Sequence, residues 1–166
     1  MTRGSLGAGI TGGLAGGLAF GLIMQGTAMM SLVARLIGSQ STAVGWLVHL
    51  GIAAFLGLLF AVVSGRPQLL IAAVGQGLLW GFLWWILGGL ILLPLRLGDD
   101  LLVLNSMSWR SLGGHLAYGA VLGVVYGIWA KGLHPGGQAI SGPVDTVRGP
   151  HAIDPSTQLP PPDQRI

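Results

Sequence analysis

The sequence predicts an all-α integral membrane protein: four transmembrane helices in two tandem hairpins, followed by a polar C-terminal tail. Composition is the first sign: of 166 residues 52% are hydrophobic and 8% charged, where a soluble domain carries about 25% charged residues. The second is charge spacing. Between Ser39 and Leu95 the only permanently charged side chain is Arg66, so the apolar runs are long enough to cross hydrocarbon and are broken only by short polar joints. The third is an internal echo. His115–Gly127, HLAYGAVLGVVYG, repeats the pattern of His49–Ala61, HLGIAAFLGLLFA, which lies 66 residues upstream.

A membrane domain is expected over 1–131, with spans at about 6–32, 43–63, 68–93 and 110–130. The first span follows the basic lead Met1–Ser5 and is too long for the apolar region of a secretory signal, so it reads as an uncleaved helix. Gly9, Gly13, Gly17 and Gly21 recur there at fourfold spacing, with Ala8, Gly12 and Gly16 beside them. Residues four apart share a helix face, and small residues on one face let helix backbones approach in lipid. Gln25 is the expensive polar group of this span and calls for a partner across the bundle or a hydrated cavity.

The second span carries Trp46 at its entrance, a position that suits the interfacial aromatic belt. It ends in Ser64-Gly65-Arg66-Pro67, a turn signal with a headgroup anchor. Span 3 sets Gly77, Gly81, Gly88 and Gly89 among Trp80, Trp84 and Trp85, the pattern of bulky rings packed into notches. Pro94-Leu95-Arg96-Leu97-Gly98 closes it, and the polar stretch 99–108 is expected along the interface. Residues 132–166 hold most of the Pro and Asp, three of the Gln, and few large apolar side chains. Such a tail buries too little to offset its ordering entropy and is expected to dock onto a partner protein.

The echo extends to both hairpin arms. At an offset of 60, Gly17-Leu18-Ala19-Phe20-Gly21 falls on Gly77-Leu78-Leu79-Trp80-Gly81. The offset grows to 66 for the second arms, so the second hairpin has a loop six residues longer. Spans 1–2 and 3–4 therefore read as copies related by an axis along the membrane normal. His49, Ala53, Gly57 and Ala61 in one copy correspond to His115, Gly119, Gly123 and Gly127 in the other. The two imidazoles are then expected at one depth, facing each other across the pseudo-twofold axis.

Ionisable side chains inside spans are functional candidates. Two facing histidines suit axial ligation of a b-type haem, with Arg96 and Arg110 (or Arg35) toward its propionates, or contact with a quinone. Hydrogen bonding to Asn105, Ser106 or a backbone carbonyl is the simpler role. Proton or ion handling is another. No metal site is expected from two histidines without a carboxylate in the bundle. The five carboxylates, Asp99, Asp100, Asp145, Asp154 and Asp163, all lie in a loop or the tail, which leaves no paired acid–base site. Cysteine is absent, excluding thiolate chemistry and disulfides. The pI near 10.2 does not signal nucleic-acid binding, because no basic stripe follows it.

Gly114-His115-Leu116 at the last span and the Pro94–Gly98 turn with its polar loop resemble small bacterial inner-membrane proteins of the YagU type. The resemblance implies a bacterial cytoplasmic membrane and little about activity. The positive-inside rule places both termini in the cytoplasm, with Arg3, Arg66 and Lys131 on that side. The expected function is that of a non-enzymatic accessory or assembly subunit of a larger membrane complex, contacting lipids and other subunits through helix faces and the tail. The alternatives are an electron-transfer protein with haem or quinone between His49 and His115, and an oligomeric channel or transporter.

Overall fold

A computed structural model describes residues 3–65 and 69–132, all within the unit Met1–Pro135. The expected tail beyond Gly132 and the Arg66-Pro67 turn lie outside the described residues. The elements are α1 (Arg3–Gly26), α2 (Met30–Arg35), α3 (Thr42–Val63), α4 (Leu70–Trp84), a π-helical continuation (Trp85–Leu92), α5 (Leu93–Leu97) and α6 (Ser106–Gly132). No strand occurs among the described residues. Four helical stretches are long and apolar enough to cross a membrane: Ser5–Gly26, Thr42–Val63, Leu70–Leu97 and Ser106–Trp129. These are spans 1 to 4.

Two span boundaries differ from expectation for local reasons. Span 1 stops at Gly26 rather than continuing to residue 32. Ala28 takes a left-handed φ of 56°, and the Thr27 hydroxyl donates to the carbonyls of Ile23 and Met24. The chain then re-enters the short α2. Span 3 does not close at Pro94 but runs through it to Leu97. Proline lacks the N–H that would reach back four residues and its ring crowds that carbonyl. The carbonyl in question belongs to Leu90, and Leu102 N–H from the following loop takes it at 3.0 Å. The wider π turns over Trp85–Leu92 sit directly before the proline, as expected where the i→i−4 ladder is interrupted. Gly98, with φ 78°, ends the helix, and Asp99 N–H returns to Pro94 O at 2.9 Å.

Span 4 begins at Ser106 rather than 110. Asn105 Oδ1 accepts the Ser108 N–H at 3.0 Å, satisfying one of the unpaired donors at the helix start. Asn105 is therefore a cap, not a partner for histidine.

α1 and α6 form the centre, with α3 against α1 and α4 against α6. Each of these three seams is a close backbone approach. Gly9 and Gly13 lie on Ala53 and Gly57 of α3; Gly77 and Gly81 of α4 lie on the backbone of His115, Gly119 and Gly123; and Gly12 and Gly16 lie on Leu122 and Tyr118 of α6. Gly127 abuts Ala73 and Leu70, and Gly17 the Ala53 methyl. Gly21 meets the Trp46 ring, whose Nε1 donates to Gln25 Oε1 at 3.2 Å. Trp46 therefore turns into the bundle, and Gln25 has its cross-helix partner. Tyr118 ties spans 2 and 4 by donating to Ala53 O at 2.9 Å, and Tyr126 donates to Gly65 O at 2.7 Å. Leu22, Leu47 and Ile71 point outward, as side chains facing lipid do.

Spans 2 and 3 make almost no backbone contact. They meet through the rings of Phe60 and Trp80, 5.9 Å between centroids. This fourth seam is open.

A Cβ at Gly119 or Gly57 would run into facing backbone, whereas one at Gly113 would meet nothing within 4 Å. Overpacking of this kind costs about 1–3 kcal/mol. Gly119→Ala is therefore expected to lower the thermal midpoint in detergent by several degrees, while Gly113→Ala leaves it unchanged or raises it.

Candidate functional site

The open seam is a cavity of about 540 Å³. Its walls are His49, Ile52 and Phe55 of α3 on one side, with Trp84, Gly88 and Gly89 of span 3 on the other. His115, Ser111 and Tyr118 of α6 form its floor together with Phe20 of α1, and Arg96 lies at one end. Ile52, Phe55 and Leu92 line it and are also exposed on the outer surface, by 42%, 56% and 53%. The cavity thus opens sideways, toward lipid. A neighbouring hollow of about 370 Å³ shares Met29, Gly89 and Ser111 with it and is walled by Asp99, Asp100 and Asn105. A polar vestibule at the loop face therefore adjoins an apolar chamber in the bundle.

His49 lies seven residues into α3 and His115 nine residues into α6, each about 10–14 Å from the helix start at 1.5 Å per residue. Both helices start on the loop side, so the two imidazoles lie at similar depth. Phe20 brings them together. Its ring centroid is 5.4 Å from that of His49 and 4.6 Å from that of His115. Gly114 makes room for Phe20, and Gly89 faces His115 Cε1 and Ser111 Oγ.

Each imidazole is anchored by a carbonyl. His49 Nε2 lies 2.8 Å from Gly17 O on the neighbouring helix, and His115 Nδ1 lies 2.8 Å from Ser111 O one turn back. A carbonyl can only accept, so each of these nitrogens carries a proton and donates. Of the expected partners, the backbone carbonyl is the one both rings take.

Axial ligation of a haem does not fit this arrangement. The Phe20 ring occupies the space between the imidazoles. His49 commits its Nε2–H to Gly17 O, which leaves only the more hindered Nδ1 lone pair for a metal. Arg96 lines the cavity, but Arg110 is exposed and does not. Among the described residues no group of three or more metal-ligating side chains occurs. The other glycines expected to pack helices, from Gly9 to Gly127, lie along the closed seams rather than in the cavity.

Three features escape sequence reading. Phe20 is one apolar residue among many, Gly89 appears only as a notch beside tryptophans, and Ser111 lies outside any motif. The one available signal for Phe20 is its alignment with Trp80 between the two arms. No known protein family, curated protein or solved structure matches the chain.

The purified protein is expected to show no haem band in a reduced-minus-oxidised absorption spectrum, before or after incubation with hemin. His49→Leu removes the bond to Gly17 O and is expected to cost about 1 kcal/mol of stability, read as a lower thermal midpoint.

Proposed function

We propose that this non-enzymatic membrane protein holds a lipid-soluble molecule in its bundle and serves a larger membrane complex as an accessory or assembly subunit. The observation that carries the reading is the side-opening cavity. Its volume falls within the roughly 300–1,000 Å³ of small-molecule sites, which are mostly apolar with a few polar groups. His49, His115 and Ser111 supply those groups here. A molecule dissolved in the bilayer can enter between spans 2 and 3 without crossing water. A quinone-class molecule suits such a chamber; a haem does not. A pore through the single bundle finds no support, because Gly12 and Gly16 close its centre against Leu122 and Tyr118; an oligomeric channel between copies is the alternative reading.

The subunit role is supported by span 3. It is the least enclosed span, with 17% of its apolar stretch buried against 44% in spans 1 and 4. Its outward face presents Gln76 beside Gly75 and Ala72. A side-chain amide facing hydrocarbon is expensive until it meets a hydrogen-bonding partner, and small neighbours let another helix come close.

The same reading takes the two hairpins as copies. Gly17 lies on Ala53, and Gly77, 60 positions on, lies on Gly119, 66 positions on from Ala53. Gly13 lies on Gly57 as Ala73 lies on Gly123. Copies would make α1–α6 and α4–α3 equivalent seams, yet Gly16 of the first corresponds to Gln76 of the second. In this reading the second seam lacks the glycine that lets the first one close. Under this proposal the protein belongs to a bacterial cytoplasmic membrane with both termini on the cytoplasmic side, as the YagU-type resemblance suggests.

Solvent extraction of protein purified in mild detergent, followed by mass spectrometry, is expected to release one lipophile in near-stoichiometric amount. Gly88→Leu, which fills a wall where a Cβ meets only the Trp84 ring, should abolish it without lowering the thermal midpoint. Recovery of bulk phospholipid only, equal in both proteins, would sink the reading. A photo-crosslinker at Gln76 is expected to give a discrete protein adduct in native membranes, and one at Leu22 none.

A further inference from the structure

The hydrogen bonds around the two imidazoles specify the sense in which the cavity recognises its ligand. His115 Nδ1 donates to Ser111 O. In the neutral ring the opposite nitrogen, Nε2, then bears a lone pair and no proton. The same logic, mirrored, leaves Nδ1 of His49 as the bare nitrogen, since its Nε2 donates to Gly17 O. No carboxylate lines the cavity to hold either ring in its charged form. Neither bare nitrogen has a hydrogen-bond partner among the described residues. The Cε1 edge of His115, next to Nε2, faces Gly89 at the cavity wall, where the missing side chain leaves space. The deep end of the chamber therefore offers two ring acceptors, with the Ser111 hydroxyl 3.4 Å from His115 Nδ1 beside them. An acceptor beside an apolar chamber selects for a donor, because a ligand that brings only a carbonyl or an ether leaves the nitrogen unpaired.

We infer that the cavity is a binding site for a lipophile bearing a hydroxyl group, whose O–H donates to Nε2 of His115, with Nδ1 of His49 as the second acceptor. The inference rests on the proposed lipophile-binding role and adds the ligand's chemical class: an isoprenoid or fatty alcohol, or the hydroquinone form of a quinone, rather than an ester, an ether or an oxidised quinone. The chain occupies the apolar length between Phe55 and Leu92, and the hydroxyl reaches the floor beside Phe20.

The full-length protein in phosphatidylcholine nanodiscs provides the test, with binding followed by tryptophan fluorescence, since Trp84 lines the site. Farnesol is expected to bind about tenfold more tightly than farnesyl methyl ether, a ratio equivalent to 1.4 kcal/mol. Decylubiquinol should exceed decylubiquinone by a similar factor, and the stronger of the two hydroxyl probes identifies the source of the group. His115→Leu should bring the alcohol-to-ether ratio to about one while retaining ether binding. Nitrogen-15 NMR of labelled histidine reads the same contact in the unmutated protein. The unprotonated Nε2 resonance of His115 should move with farnesol and stay in place with the ether. Equal affinity for alcohol and ether, or a His115 protonated at Nε2, overturns the hydroxyl inference and leaves the lipophile site standing. Failure of every probe to bind, together with absence of any extractable lipophile, overturns the site itself.

Discussion

In a bilayer, helices gain nothing by hiding apolar surface from one another, because lipid tails are equally apolar. What holds them is contact, and contact depends on how near two backbones can come. Three seams in this protein reach backbone contact through glycine: α1 on α3, α4 on α6, and α1 on α6. The remaining geometry follows from that. α1 serves two seams at once because its glycines lie on two adjacent faces, Gly9, Gly13 and Gly17 toward α3, and Gly12 and Gly16 toward α6. Where no glycine pair exists, between spans 2 and 3, aromatic rings keep the helices apart. The chamber lies in that open seam, lined by Phe55 and Leu56 of α3 and by Trp84, Gly88 and Gly89 of span 3.

Span 3 forms its wall by a second route. Pro94 removes one donor from the helical ladder, and the helix widens into π turns just before it instead of stopping. Gly88 and Gly89 fall in the widened segment, so the wall nearest His115 is nearly bare backbone. The carbonyl freed by the proline is Leu90 O, and the loop returns to satisfy it through Leu102, which adopts a left-handed φ of 59°. That return carries Asp99, Asp100 and Asn105 over the polar hollow. A single proline thus relates the chamber wall, the vestibule and the loop that covers it, since an unpaired carbonyl at membrane depth costs several kcal/mol, by order of magnitude.

Four spans, the glycine faces and the two candidate histidines were all legible in the sequence, because length, hydropathy and fourfold spacing are local properties. The helix break at Thr27–Met29 was not, because Gly26 and Thr27 are no stronger as stop signals than the glycines span 1 carries throughout. Pro94 was misread as an end because a proline ordinarily terminates a helix; its tolerance here depends on Leu102 N–H, a residue eight positions away. Trp46 suits an interfacial belt by position alone, and only the three-dimensional placement of Gly21 and Gln25 turns it inward. The cavity was illegible for a related reason: it arises from a seam that does not form. Sequence patterns report which residues attract, and no pattern marks where two spans stay apart.

The placement of the histidines is what the proposed ligand site rests on. Unpaired ring nitrogens also occur in this bundle away from the histidines: Trp80 Nε1 and Trp84 Nε1 are buried with no hydrogen-bond partner among the described residues. Tyr118 and Tyr126, also buried, each direct a hydroxyl to a carbonyl across a seam. The two histidines each satisfy only one nitrogen, and each does so with a backbone carbonyl that holds the ring's orientation. Phe20 then packs against both rings and limits their rotation. Under the proposed function, fixing a ring in this way beside a chamber that opens to lipid leaves its second nitrogen available to a ligand. In that reading, a molecule that donates to the second nitrogen supplies the partner that the protein does not.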